Sequence, residues 1–272
     1  MTRSSANPDA VVRQPSLFIP HGGGPCFFMP DPTGVWTRME AYLRGLVNTL
    51  PARPKAILLV SGHWEAEGFG FTGAERPGLI FDYYNFPPHT YELTYPVPGA
   101  PWLAERAAGL LREAGLPAFV DPGRGLDHGV FVPMKVAFPD ADIPLVEMGI
   151  DHRYDAAMHL RAGAALSALR DEGVLIIGSG MSFHNLRMFR DPRAEQPSRL
   201  FDHWLIEAAG AQAPERTDLL SQWAQAPAAR ICHPREDHLL PLMVAAGASA
   251  SAGQHDYGEL VLGSAISAFR FA

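Results

Sequence analysis

The chain has 272 residues, a formal charge of −7, 47% hydrophobic and only 19% charged residues, enough apolar material for a real core, which excludes a disordered chain. Its 26 glycines and 25 prolines favour a loop-rich scaffold over a helical bundle. With lysine only at Lys55 and Lys135 and arginines scattered, no basic stripe exists to track phosphates, so nucleic acid is excluded as a partner.

In chain order, residues 1–14 are polar, with no apolar stretch behind the first arginine. They read as a frayed terminus rather than a secretory signal. Residues 15–272 then read as a single α/β domain, its strand-length apolar runs alternating with helical periods. The expected strands are Ser16 to Ile19, Ala56 to Val60, Ile143 to Met148, Val174 to Ile177 and Leu260 to Leu262. The expected helices are Val35 to Leu50, Pro101 to Ala114, Tyr154 to Glu172, Leu200 to Ala209 and Pro234 to Ala246, the last interrupted by Pro241. Asp82 to Pro101 carries five prolines and four tyrosines without a period, and reads as a long ordered loop of the kind that forms lids. Nowhere do about 18 apolar residues run together, which excludes a membrane span. Cys26 and Cys232 are too few for a disulfide framework and point to a reducing, cytoplasmic setting.

The functional signal lies in the histidines. In open α/β sheets, ligands bind beyond the carboxyl ends of the strands. His21 follows the first expected strand, His63 the second, and His184 comes soon after Val174 to Ile177, each beside glycine or a short turn. His128 in Gly125-Leu126-Asp127-His128-Gly129 and the pair His233 and His238 join them, whereas His89, His152, His159, His203 and His255 read as surface or capping residues. There is no HExxH, no nucleophile elbow, no P-loop and no dinucleotide fingerprint. Two distant cysteines exclude a thiolate zinc site; imidazoles suit zinc, iron, copper or nickel, and three protein ligands with open positions mean a catalytic metal.

The succession PSLFIPHGGGP, ILLVSGHWE, GLDHGVFVPMKVAFPDADIPLVEMGID, GSGMSFHNL and EDHLLPLMVAAGA, with the loop FDYYNFPPHTYELTYPVPGAP, resembles the DOPA 4,5-dioxygenase type of class III extradiol ring-cleavage dioxygenase. The resemblance implies an α/β fold with a central mixed sheet flanked by helices, and a mononuclear non-haem Fe(II) site in which members are also described with zinc. By that likeness His21, His63 and His238 match metal ligands, with Glu236 or Asp237 alongside as a carboxylate alternative; His184 matches either a further ligand or an acid-base residue, and His128 the other pocket histidine. Two departures bear on the substrate: His21-Gly22-Gly23-Gly24-Pro25 is one residue longer than the usual His-Gly-Ser-Pro, and Met181-Ser182-Phe183 is bulkier than usual.

The implied reaction is extradiol cleavage of a catechol-type substrate by O2, with a small aromatic diol and O2 as the partners. His128 and His184 would move protons, and Tyr83, Phe86, Tyr91 and Tyr95 would wall the ring or simply anchor their loop. The rival readings are a zinc-dependent hydrolase and a non-catalytic metal- or ligand-binding protein. No heptad or interface stripe decides whether the chain forms a homo-oligomer.

Overall fold

The apolar runs form the inner strands of one sheet. The computed structural model describes residues 11–272. Its strands are β1 (Ser16–Pro20), β2 (Ala56–Ala66), β3 (Phe69–Thr72), β4 (Ala118–Asp121), β5 (Leu145–Asp151), β6 (Val174–Gly180), β7 (Gly253–Val261) and β8 (Ser264–Phe271). They lie in the order β4-β3-β5-β2-β6-β1-β8-β7. The inner four, β5, β2, β6 and β1, are mutually parallel, and β3, β8 and β7 add antiparallel pairings. This is a single α/β domain with a mixed sheet, as the sequence led us to expect.

Around it pack α1 (Thr37–Gly45), α2 (Pro101–Glu113), α3 (His128–Ala137), α4 (Ala156–Leu166), α5 (Ala168–Asp171), α6 (Glu195–Gly210), α7 (Ala213–Ser221), α8 (Ala229–Cys232) and α9 (Leu240–Gly247). Successive strand residues point to opposite faces. Phe18, Leu58 and Ile176 therefore enter a core with α2, α4, α6 and α9, and Leu17, Ile57 and Leu175 enter a second core with α1 and α3. Burial on both faces explains why these strands read as unbroken apolar runs.

Several expectations need correction. Leu260 to Leu262 straddles the β7–β8 turn, where Leu262 and Gly263 have φ of 50° and 82°, a conformation that reverses a hairpin tightly. The strands β3 and β4, at one end of the sheet, have four residues each, too few to show a period. Helix α3 escaped notice because Gly129 and Pro133 argue against a helix, and α7 because its pattern is weakly amphipathic. The expected helix from Pro234 starts only at Leu240, with Pro241 in the first turn, where a missing N–H is harmless. Of the terminal segment expected to fray, residues 1–10 lie outside the described residues. Gln14 is already buried, donating its N–H to Arg170 O at 3.0 Å and accepting from Arg170 Nε at 2.7 Å. Among the described residues no helix is long and apolar enough to cross a membrane.

His159, read as a surface or capping residue, is fully buried. Its Nδ1 lies 2.7 Å from Asp155 O and its Nε2 3.2 Å from the Asp151 N–H, so Nδ1 donates and Nε2 accepts. Burial pulls its pKa from 6.5 down to about 4. The folded value lies below the unfolded one, so the unfolded chain takes the proton first, and stability present above pH 6.5 is lost as pH falls toward 4. Between pH 7.5 and 5.0 this residue is expected to withdraw about 2 kcal/mol. Urea titrations of wild type and His159→Gln at both pH values check this; an equal loss in both proteins would refute it.

Candidate active site and metal centre

Because β1, β2 and β6 are parallel, their carboxyl ends open on one edge of the sheet. His21 follows β1 directly, its N–H donating to Gly180 O at 3.3 Å. His63 lies within β2 where the pairing with β5 slips between Ser61 and Glu65, an irregularity that re-aims a side chain. His184 stands four residues past β6, its N–H on Cys232 O at 3.0 Å. His238 lies in the turn before α9, and glycines bring that turn in. A Cβ on Gly180 would stand 2.2 Å from His238 O, and one on Gly62 2.5 Å from Asp237 O. Any side chain at either position would push His238 off the sheet edge.

Three imidazoles then converge. His63 Nε2 lies 3.4 Å from His21 Nε2 and 3.2 Å from His238 Nε2. The opposite nitrogens decide which protons these rings carry. Ser179 Oγ donates to Gly129 O, so it accepts from His21 Nδ1, 3.2 Å away. His63 Nδ1 faces Asp82 Oδ2 at 3.3 Å, and His238 Nδ1 faces Asp237 Oδ2 at 2.7 Å. Each Nδ1 carries the proton, so three Nε2 lone pairs face one point and cannot hydrogen-bond one another. Burial, the largest cause, holds all three rings neutral, His21 well below its usual pKa and His63 and His238 at about 3. Neutral imidazole is the metal-binding form. Nitrogens on a tetrahedral ion at about 2.0–2.1 Å stand about 3.3–3.4 Å apart, so the donor set fits a divalent metal. Each ring's outer partner is the kind that orients a metal-bound histidine.

Two carboxylates organise these histidines: Asp82, which sequence reasoning missed, and Asp237, which it named as an alternative ligand. Asp82 accepts from His128 Nδ1 at 2.7 Å and from the His128 N–H at 2.9 Å while its second oxygen faces His63. Burial raises its pKa, but the histidine contacts outweigh it and hold it at about 2. Asp237, considered above as a ligand, holds the back of His238 and lies 3.7 Å from His184 Nδ1; burial opposes its ionisation, yet the two histidines push its pKa far below the carboxylate range. The His184 ring stacks on His238 with centroids 3.4 Å apart. Glu236 turns away to Arg230 at 2.8 Å. No spacing rule signals Asp82, since it meets its partner 46 residues later.

The five histidines His21, His63, His128, His184 and His238 form the floor of a cavity of about 490 Å3 walled by Trp36, Tyr83, Phe86, Met181, Phe189 and Leu262. Tyr83 and Phe86 thus line the cavity. Tyr91 and Tyr95 do not line the cavity: Tyr91 OH packs under Tyr83 O at 3.4 Å, and Tyr95 OH donates to Phe138 O at 3.1 Å. They anchor the loop. His233 is also outside, fully buried with Nε2 2.9 Å from Ser182 O.

Residues 31–268 match the family described as the catalytic LigB subunit of aromatic ring-opening dioxygenase. The chain is 40% identical to dioxygenase tasH of Hapsidospora irregularis, over 86% of this chain and 78% of that one. It is 36% identical to proteins named 4,5-DOPA dioxygenase extradiol from Escherichia coli K12, over 87% of this chain and 86% of the relative, and from Beta vulgaris, over 90% of each. The crystal structure of an uncharacterized protein of Escherichia coli K12 superimposes with a TM-score of 0.77 at 30% identity, covering 96% of this chain and all of the other.

Proposed function

The chain belongs to the family of the catalytic LigB subunit of aromatic ring-opening dioxygenases, and on that premise we propose that it cleaves a catechol-type ring in the extradiol position with O2 at one Fe(II) held by His21, His63 and His238. The observation that carries this reading is the convergence of three Nε2 atoms, that of His63 lying 3.4 Å from His21 and 3.2 Å from His238, beneath an aromatic-walled cavity. When bound, Fe(II) supplies a Lewis acid for the two diol oxygens and the redox chemistry that O2 requires. The residues of the chain do the rest. Tyr83 and Phe86 hold the ring over the histidine floor, and proximity of the two reactants is the main gain. His128, its Nδ1 proton committed to Asp82, keeps Nε2 as an acceptor for a hydroxyl proton. His184 returns a proton to the departing oxygen. The ring opens to a semialdehyde acid that contains both atoms of O2. Both cysteines are buried and unpaired, their thiols pushed up to about 12 by burial, which accords with a reducing, cytoplasmic setting.

Protein loaded anaerobically with Fe(II) should consume one O2 per catechol and give a product heavier by two oxygen atoms, both labelled from 18O2. Protein loaded with zinc instead should bind catechol and consume no O2, because zinc has no redox chemistry. Full ring cleavage by iron-free zinc protein would refute the assignment of iron, and amide or ester hydrolysis by it would favour the hydrolase.

A further inference from the structure

Three Nε2 lone pairs that face one point repel one another until a metal takes them, so the scaffold alone must hold their spacing in the metal-free protein. On the β6 side backbone bonds do this. The turn that carries His238 is fixed by the Met181 N–H on His238 O at 3.0 Å and the His184 N–H on Cys232 O at 3.0 Å, with His233 Nε2 2.9 Å from Ser182 O. On the β2 side, among the described residues, no backbone bond reaches the turn. Gly62 lets Asp237 O come close, but that contact limits the approach and does not draw the turn in.

One polar link does cross to β2. Arg235, in the His238 turn, is paired with Glu65 of β2 and donates to the Tyr154 hydroxyl, which in turn donates to Glu65. The guanidinium lies over the Tyr154 ring, 4.9 Å from its centroid, so stacking adds to the ion pair. Among the described residues this is the only polar contact between turn and strand besides the facing Nε2 atoms of His63 and His238. Its anchor is built into the sheet. Glu65 stands two residues past His63, where the β2–β5 slip ends, so the irregularity that aims His63 also presents the partner for Arg235. Tyr154 follows β5 in the left-handed region, with φ of 55°, a conformation that a bulky residue holds only when its surroundings impose it. The other arginine pair of the turn, Arg230 with Glu236 at 2.8 Å, joins α8 to the turn and does not touch β2.

We propose that Glu65, Arg235 and Tyr154 form a latch that sets the separation of His63 and His238 in the metal-free protein, and thereby the affinity of the site for its metal. They are positioning residues, and none of them lines the cavity. The proposal rests on the metal assignment above and names what preorganises it.

The test uses zinc alone as the probe, its Kd measured by competition with a chromophoric chelator, together with the melting temperature of each metal-free protein. Arg235→Gln and Glu65→Gln should each weaken zinc binding about fivefold, the reach of an ion pair open to solvent. Tyr154→Phe, which keeps the stacked ring and loses the hydroxyl, should fall between them and wild type. The double variant Glu65→Gln/Arg235→Gln should lose no more than either single one, because one link is broken in all three; independent losses would multiply to about 25-fold. Arg230→Gln, which breaks the pair that stays off β2, should bind zinc as wild type does. The metal-free variants should melt close to wild type, which separates lost positioning from lost folding. Wild-type affinity in both Arg235→Gln and Glu65→Gln, losses that multiply in the double variant, or an equal loss in Arg230→Gln would overturn the latch. Stoichiometric zinc in His63→Ala would instead sink the metal assignment itself, whereas zinc lost there and unchanged in the latch variants sinks the latch alone.

Discussion

His63→Ala is expected to retain no stoichiometric metal and no measurable turnover. Its Nε2 is the middle donor of the three, 3.4 Å from that of His21 and 3.2 Å from that of His238. Without it, two donors remain and the third position opens to water. The outer partners should cost less. Asp82→Asn and Asp237→Asn leave all three donors in place and loosen one ring each, for which about 10–100-fold weaker metal binding is expected. Glu236→Gln should keep its metal, because that carboxylate is held by Arg230. Metal content by mass spectrometry, with melting curves to confirm folding, orders the series. One equivalent of metal in His63→Ala removes the assignment. Metal loss in Glu236→Gln as complete as in His238→Ala would put a carboxylate among the ligands.

The positions of His21 and His63 were legible because two local signals coincide there: an unbroken apolar run, which marks a strand covered on both faces, and a glycine-flanked histidine at its end. His238 was less so. The local pattern put it inside a helix, whereas it lies in the turn ahead of α9, carried inward by contacts against Gly180 and Gly62. Those contacts join residues about 58 and 176 positions apart, which no window on the sequence sees. The two organising carboxylates show the same limit. An aspartate precedes both His128 and His238, yet adjacency holds only for Asp237. Asp127 turns into the interior, to Ser61 Oγ at 2.8 Å and Arg124 at 3.3 Å, and the partner of His128 is Asp82 on the long loop. His159 was misread although Met158 and Leu160 beside it are apolar, because the contact that buries it, Phe69 with ring centroids 5.1 Å away, comes from β3, distant in the chain.

His128→Ala and His184→Ala are expected to keep most of their iron and lose kcat by about 10²–10⁴-fold, the usual worth of a positioned proton-transfer group. The separation of the two readouts follows from the geometry. Neither residue belongs to the trio whose Nε2 atoms converge: His128 commits Nδ1 to Asp82 at 2.7 Å, and His184 lies flat on His238 with its Nδ1 3.7 Å from Asp237. A centre that holds both diol oxygens and O2 also has little room for five imidazoles. The two variants should differ in detail. Removing the His128 ring, whose centroid is 4.0 Å from that of His63, frees Asp82 to draw closer to His63, so iron should bind no more weakly while kcat falls. Removing the His184 ring takes away the surface on which His238 lies, so a modest loss of iron affinity should accompany the loss of kcat. Added imidazole should restore part of the turnover in His128→Ala without changing its iron content, because the missing group is a proton acceptor rather than a ligand. Iron loss in His184→Ala as complete as in His63→Ala would move it among the ligands, and wild-type kcat in either variant would end its assignment to proton transfer.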